Sequence, residues 1–272
     1  MINNEPVEVG SPLAFGTRST VYASAIGTVL KVPNRDTPSS WMKAEAAYCD
    51  AATAAGVAAP RVLNSVMIDG VLAVQFERIA GLSLWDNVGA DPTKAREAGV
   101  TLAQIQVGLR TVPVPIVFPE TRSRLLAKLH NAKGPLGPLF EPAMNLLDSL
   151  GRLDARFALN HGDLHPKNVL LAESGPVLVD WFDASRGPWI ADVARTSLLL
   201  DTGLGADNPS PGWLADLAQS YASHIAQDPW FDDAVFRRWR VVCAAARMAE
   251  GLQLDFTRDL LRRELDALPE WK

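Results

Sequence analysis

The stretch that most constrains this chain is Asn160-His161-Gly162-Asp163-Leu164-His165-Pro166-Lys167-Asn168, with Val177-Leu178-Val179-Asp180 shortly after it. Pro166 breaks helix and lacks a backbone donor, so the residues around it form a loop. Two apolar runs, Val169-Leu170-Leu171 and Val177-Leu178-Val179, flank the turn-rich Glu173-Ser174-Gly175-Pro176. That pattern reads as a short β-hairpin. A hairpin returns Asp180 towards Asn168, so an amide oxygen and a carboxylate meet at its open end. A second carboxylate, Asp163, lies in the loop just before.

Phosphoryl transfer needs positioning and charge neutralisation more than covalent work by the protein. Magnesium prefers oxygen ligands and takes few of them from carboxylates, which suits Asn168 and Asp180. Asp163 then remains to accept the proton of an attacking hydroxyl. Another chemistry fits part of the same segment. His161, Asp163 and His165 make an H-x-D-x-H pattern of the kind that binds zinc or a metal pair in hydrolases. That alternative leaves Asn168, the hairpin and Asp180 unexplained. In plainer roles, His161 packs within the loop, His165 packs or touches substrate, and Lys167 is a solvated charge.

The run from His161 to Asn168 resembles the catalytic loop of the aminoglycoside phosphotransferase family, whose fold is protein-kinase-like. Val179-Asp180-Trp181 is similar to that family's metal-binding strand end. Gly187-Pro188-Trp189-Ile190-Ala191-Asp192-Val193-Ala194 resembles its next signature. The resemblance implies Asp163 as catalytic base, Asn168 and Asp180 as magnesium ligands, and Asp192 as a brace for the loop.

A kinase-like site requires a nucleotide clamp upstream. Leu13 to Tyr22 contains a small polar turn with Gly16, Thr17 and Ser19, whose backbone N–H groups can cradle phosphate oxygens. Thr28 to Pro33 reads as a strand carrying Lys31, which either points to solvent on the strand's polar face or, in the functional reading, lies over the α- and β-phosphates. The alanine-rich stretch from Trp41 to Ala55 has high helix propensity, ends at Gly56, and carries Glu45 to pair with Lys31. Arg61 to Val66 and Val71 to Phe76 are β-rich, and Asp69-Gly70 between them is a hairpin signal. Glu77 to Ile79 resemble the family's interlobe linker, which implies backbone contact with the nucleobase at Glu77 and Ile79.

Asp91-Pro92 opens a helical stretch that runs to Arg110. Residues 111–119 are proline-rich and irregular. Further helices are expected at 122–130, 142–150, 191–200, 213–226 and 257–268. Val235, Phe236, Trp239, Val242, Cys243 and Ala246 repeat at helical spacing, with Arg237, Arg238, Arg240 and Arg247 on a face read as solvated. The expected fold is therefore α+β: a two-lobed protein-kinase-like fold with a small β-rich N-lobe, residues 1–80, and a larger mainly helical C-lobe, residues 81–272, that holds the catalytic loop, hairpin and substrate site.

The 272 residues are 48% hydrophobic and 21% charged, ordinary for a globular protein. No apolar run approaches the roughly 20 residues that span a bilayer, and the first residues lack the pattern of a signal peptide. Cys49 and Cys243 lie far apart and read as buried thiols, which favours a reducing cytoplasm. A formal net charge of -5 argues against nucleic acid or anionic membrane as the main partner and suits a cationic hydroxylated small molecule. Asp183, Asp201, Asp207, Glu250 and Asp255 are candidates to bind it, and Trp181, Trp189 and Trp213 to stack on it.

The function that follows is a small-molecule kinase. With Mg2+, it moves the γ-phosphoryl of ATP, or GTP, to a hydroxyl of an aminoglycoside-like, amino-sugar or amino-alcohol acceptor. The alternatives are a nucleotide-binding pseudo-kinase or scaffold, and the metallohydrolase built on His161, Asp163 and His165. The sequence sets neither the oligomeric state nor a role in antibiotic resistance.

Overall fold

The structure is a computed structural model that describes residues 2–3, 9–35, 37–150, 157–202, 211–251 and 254–268. In chain order the strands are β1 (Ile2–Asn3), β2 (Pro12–Phe15), β3 (Ser19–Ala23), β4 (Thr28–Pro33), β5 (Val62–Ile68), β6 (Val71–Glu77), β7 (Phe157–Asn160), β8 (Val169–Ala172), β9 (Gly175–Leu178) and β10 (Ser185–Pro188). The helices are α1 (Ser39–Ala54), α2 (Leu84–Ala90), α3 (Ala95–Leu109), α4 (Thr121–Asn131), α5 (Lys133–Leu136), α6 (Phe140–Leu150), α7 (Trp189–Asp201), α8 (Trp213–Ile225), α9 (Asp233–Arg247) and α10 (Leu254–Asp266). They fall into two compact units. One is Met1–Leu84 with Lys167–Asp183; the other is Trp85–Pro166 with Ala184–Lys272.

The first unit is built on a six-stranded sheet in the order β1-β5-β6-β4-β3-β2. Its pairings are antiparallel apart from β1, which runs parallel to β5. Asp69 (φ 47°) and Gly70 (φ 82°) join β5 to β6 in the left-handed pair that a tight Asp-Gly hairpin demands. Helix α1 packs on β5 and β6, burying Met42, Ala46, Cys49 and Ala52. Gly56 stops it in a left-handed conformation, φ 92°. Leu30, Val66 and Ala73 form the apolar centre of the sheet, with Val32 and Ile68 against them.

Strands β8 and β9 form the expected hairpin, with Val169 opposite Leu178 at its open end. A division of the chain near residue 80 assigns this hairpin to the C-terminal part. Its backbone instead ties it to the first unit. Leu171 N–H donates to Leu82 O at 2.8 Å and Leu178 N–H to Ala58 O at 2.8 Å, and Ser83 bridges to Leu170. Gly81 permits this approach: at φ 150°, a Cβ there would lie 2.0 Å from Leu171 O.

The second unit is mainly helical. Helices α4, α6, α7, α9 and α10 share one core, which includes Leu129, Leu147, Leu150, Leu198, Trp239, Val242 and Leu261. Helix α3 packs on α8. Asp91 accepts from Thr93 N–H at 3.2 Å and caps a 3-10 turn, Pro92–Lys94, that leads into α3. Strands β7 and β10 pair antiparallel with Asn160 opposite Ser185, a ladder absent from the sequence expectations, as are α2 and α5. Only part of the arginine face expected on α9 is solvated: Arg237 is exposed, whereas Arg240 is 8% and Arg247 2% exposed. Both point at carboxylates rather than water. Cys49 and Cys243 are free and buried. No helix among the described residues is long and apolar enough to cross a membrane. The expected α+β class, with a β-rich N-terminal sheet and a helical C-terminal part, is what forms.

Candidate active site

Within the first unit, β4 carries Lys31 and α1 carries Glu45. Lys31 Nζ lies 2.5 Å from Glu45 Oε1 and 3.0 Å from Asp180 Oδ1. The Lys31 and Glu45 side chains are 12% and 6% exposed, and Asp180 is 45% exposed. Burial opposes the charge on Lys31, but Asp180 and Glu45 outweigh it and hold the ammonium above its ordinary range. Burial pushes the Glu45 carboxyl up, against the pull of Lys31. Val179 N–H donates to Asn168 O at 3.0 Å, so the hairpin brings Asn168 and Asp180 to its open end. Asp180 has φ 65°.

The turn between β2 and β3 is held from behind by Asn34, a residue the sequence reading missed. Asn34 Nδ2 donates to Gly16 O at 3.1 Å and Thr17 O at 3.0 Å, and Gly16 N–H closes on Ser19 O at 2.9 Å. Ser19 is buried at the start of β3. Arg18 in this turn reaches Asp183 Oδ2 at 3.2 Å and lies 5.1 Å from the ring centres of both Trp41 and Phe182. At the end of β6, Glu77 N–H is given to Arg61 O and Arg78 N–H to Gly27 O, while the Glu77 carboxylate pairs with Arg61 at 3.0 Å. A nucleobase contact at Glu77 would therefore go through its carbonyl. Ile79 lies two residues past the end of β6.

Within the second unit, β7 leads into the loop that carries Asp163. Asp192, on the first turn of α7, fixes this loop by its backbone. His161 N–H donates to Asp192 Oδ2 at 3.0 Å and Gly162 N–H to Oδ1 at 2.7 Å. His161 itself is fully buried. Burial pushes the Asp192 carboxyl up, opposed by His161 and the loop amides. Gln106 of α3 completes the brace. Its Nε2 donates to Asp192 Oδ2 at 3.0 Å, and its Oε1 accepts from Tyr221 Oη of α8. Gln106 stands in the apolar stripe Leu102, Ala103, Leu109, and a polar residue at such a core position was the available signal for it.

Asp163 is surrounded by donors. Arg195 Nη2 lies 3.1 Å from its Oδ1 and His165 Nε2 3.5 Å from its Oδ2. Burial alone would raise the Asp163 carboxyl, but His165, Arg195 and Lys128 together hold it well below the usual carboxylate range. Arg195 also reaches Glu250 at 2.7 Å. No group of three or more His, Cys, Asp or Glu placed to hold a metal occurs among the described residues, so His161, Asp163 and His165 do not assemble the hydrolase cluster.

The acidic candidates for a cationic acceptor are already engaged. Asp183 meets Arg18, Asp201 meets Arg240 at 2.8 Å, and Asp255 meets Arg258 at 2.8 Å. Glu250 meets Lys128, Arg195 and Arg247. Asp207 lies outside the described residues. Trp181 and Trp189 are buried, each 1% exposed, and Trp213 packs edge-on against Trp85.

A model of the phosphotransferase enzyme family matches residues 10–268. No curated protein sequence matches the chain. Among solved structures, an aminoglycoside phosphotransferase from Streptomyces rimosus in complex with ADP and streptomycin is similar at TM-score 0.62 and 17% identity, over 84% of this chain and 90% of that one. A choline/ethanolamine kinase family protein from Mesorhizobium loti is similar at 0.59 and 16%, over 98% and 90%. An amicoumacin kinase in complex with AMP-PNP and Ca2+ is similar at 0.57 and 13%, over 97% and 87%.

Proposed function

Because the chain belongs to the phosphotransferase enzyme family, and is thus a phosphotransferase acting on hydroxyl groups, we propose that it is a small-molecule kinase using ATP or GTP with magnesium. The observation that carries this reading is Lys31, held between Glu45 and Asp180 at 2.5 and 3.0 Å. A buried ammonium whose charge is kept by two carboxylates is a fixed positive point for the phosphates of a nucleotide. Asn168 and Asp180 offer hard oxygen donors, one amide and one carboxylate, a set that fits magnesium with phosphate oxygens and water as its other ligands. Magnesium, when bound, would neutralise charge on the phosphates. The adenine nucleotides bound in two of the solved relatives support a nucleotide donor, and the Ca2+ in one of them supports a divalent ion.

In the reaction, a bond forms between the acceptor hydroxyl oxygen and the γ-phosphorus. The bond from that phosphorus to the bridging oxygen breaks, and the nucleoside diphosphate leaves with the electron pair. Asp163 receives the hydroxyl proton. A carboxylate held so low is a weak base, so its first task is to orient the hydroxyl. It takes the proton late, when attack has made that proton acidic. Asp192 and Gln106 keep the loop in place. The relatives' names and ligands support a hydroxylated amine of aminoglycoside, amino-sugar or amino-alcohol type as acceptor.

The test is magnesium-dependent nucleotide turnover across an acceptor panel. Asp163→Asn is expected to slow transfer by roughly 10²–10⁴-fold while nucleotide binding persists, and Asp180→Ala to abolish metal-dependent nucleotide binding. Nucleotide binding without transfer to any acceptor would favour a pseudo-kinase. Stoichiometric zinc without nucleotide binding would favour a metallohydrolase.

A further inference from the structure

In the proposed function the turn between β2 and β3 offers backbone amides to the nucleotide phosphates, so whatever sets its position sets that grip. Its carbonyls tie it to the connection between β4 and α1. Arg18 O accepts from Asn34 N–H at 2.8 Å and from Thr37 Oγ1 at 2.7 Å, beside the bonds from Asn34 Nδ2 to Gly16 O and Thr17 O. Three successive carbonyls are thus held by residues 34 and 37. These bonds fix the turn against its own strands; they do not reach the segment that carries Asp180.

The Arg18 side chain does reach that segment. Its Nη1 donates to Asp183 Oδ2 at 3.2 Å, three residues beyond Asp180. Its guanidinium carbon lies 5.1 Å from the ring centres of both Trp41 and Phe182, within cation–π range. Those two rings stack on each other, 4.6 Å apart at 25°. One side chain therefore joins the turn, the first turn of α1 and the residues that follow Asp180. Arg18 is 38% and Asp183 8% exposed. An ion pair reaching the surface adds little to stability. A guanidinium plane set by a carboxylate and two rings adds direction, which an ammonium on a flexible stem does not.

Resting on the reading of this unit as the nucleotide site, we propose that Arg18 is a positioning residue. It sets the phosphate-binding turn in register with Asp180, so that the turn's amides and the proposed metal ligand meet the same triphosphate. It acts through Asp183 and the Trp41–Phe182 stack rather than by touching the nucleotide.

The experiment uses the full chain with ATP and magnesium. Nucleotide affinity is titrated without acceptor, and kcat is measured with an acceptor that the parent turns over. Arg18→Gln is expected to weaken nucleotide binding about 10-fold, an ordinary coupling for residues in contact, with kcat at saturation within about 2-fold of the parent. Arg18→Lys keeps a cation for Asp183 but loses the planar contacts, and should still bind at least about 3-fold more weakly than the parent. Asp183→Asn should weaken binding as well, and the double variant with Arg18→Gln should lose no more than Asp183→Asn alone. Amide exchange at residues 16–19, followed without nucleotide, should quicken in Arg18→Gln while that of α1 stays as it is. Thermal melts establish that the variants fold.

Unchanged binding or unchanged turn exchange in Arg18→Gln would overturn the proposal. Full recovery in Arg18→Lys would overturn it too, leaving Arg18 as a counter-charge for Asp183. Tighter binding in Asp183→Asn would assign Arg18 to the phosphates directly and refute the positioning role. A parent that binds no nucleotide with magnesium sinks the kinase reading and this proposal together. A parent that binds nucleotide as well as Arg18→Gln does sinks the proposal alone.

Discussion

Lys31→Met removes an ammonium from two carboxylates in different surroundings. Asp180 is 45% exposed and recovers its hydration. Glu45 is 6% exposed, so its charge is left buried without its cation. Breaking a buried pair by deleting one partner costs about 3–5 kcal/mol. Nearly all of that cost falls on Glu45. With a urea slope of about 3 kcal/mol/M, the unfolding midpoint of the variant should drop by about 1–1.7 M. Without Lys31, burial leaves the folded-state pKa of Glu45 above its unfolded value, so the folded state binds that proton more tightly. The deficit is then full above the folded pKa and shrinks as pH falls towards the unfolded value, so it should be larger at pH 7 than at pH 5. Adding Glu45→Leu should recover most of the lost stability, since an apolar pair replaces a buried ion pair at little cost. It should recover none of the nucleotide use. Urea melts at both pH values with a phosphotransfer assay measure all of this. A Lys31→Met variant within about 0.5 kcal/mol of the parent, or a double variant whose losses simply add, would refute the coupling.

Two further perturbations probe the frame of the site. Gln106→Leu takes an acceptor from Tyr221 Oη and one of two donors from Asp192 Oδ2, which keeps the His161 N–H, costing about 1–3 kcal/mol in all. It should lower kcat at unchanged nucleotide KM, and an unchanged kcat would remove Gln106 from the bracing of the loop. Gly81→Ala puts a Cβ 2.0 Å from Leu171 O at φ 150°. Strain and clash together should cost about 2–6 kcal/mol, read as a lower Tm and faster amide exchange at Leu171, whereas a parental Tm would refute the close contact.

Elements with strong local signals were legible in the sequence. Helix α1 needed only its alanine run and Gly56, β5 and β6 only the Asp-Gly turn, and the β8–β9 hairpin only its two apolar runs. The local pair Lys31–Glu45 was within reach for the same reason: a strand and the next helix hold both residues. Strands β7 and β10 were illegible because Ser185-Arg186-Gly187-Pro188 has no strand propensity of its own. It pairs because the buried Asn160 side chain bonds Thr121 and Pro188 O, at 3.0 and 3.1 Å. Arg240 and Arg247 were misjudged because helical periodicity marks apolar positions, and a buried guanidinium is decided by carboxylates on other elements. For Arg240 these are Asp201 and Glu264. Tertiary electrostatics leaves almost no trace in local pattern.

Asp180 occupies a backbone region, φ 65°, where a side chain of L configuration costs of order 1 kcal/mol and glycine costs almost nothing. Asp69 shares that conformation beside Gly70, where the turn itself imposes it. A stability-guided redesign of this chain would therefore choose glycine at 180 early. It would gain backbone energy and lose the second carboxylate on Lys31, together with the proposed metal ligand. Position 180 is thus one where thermal robustness and turnover are selected in opposite directions, and a library sorted on melting temperature alone should enrich inactive sequences there.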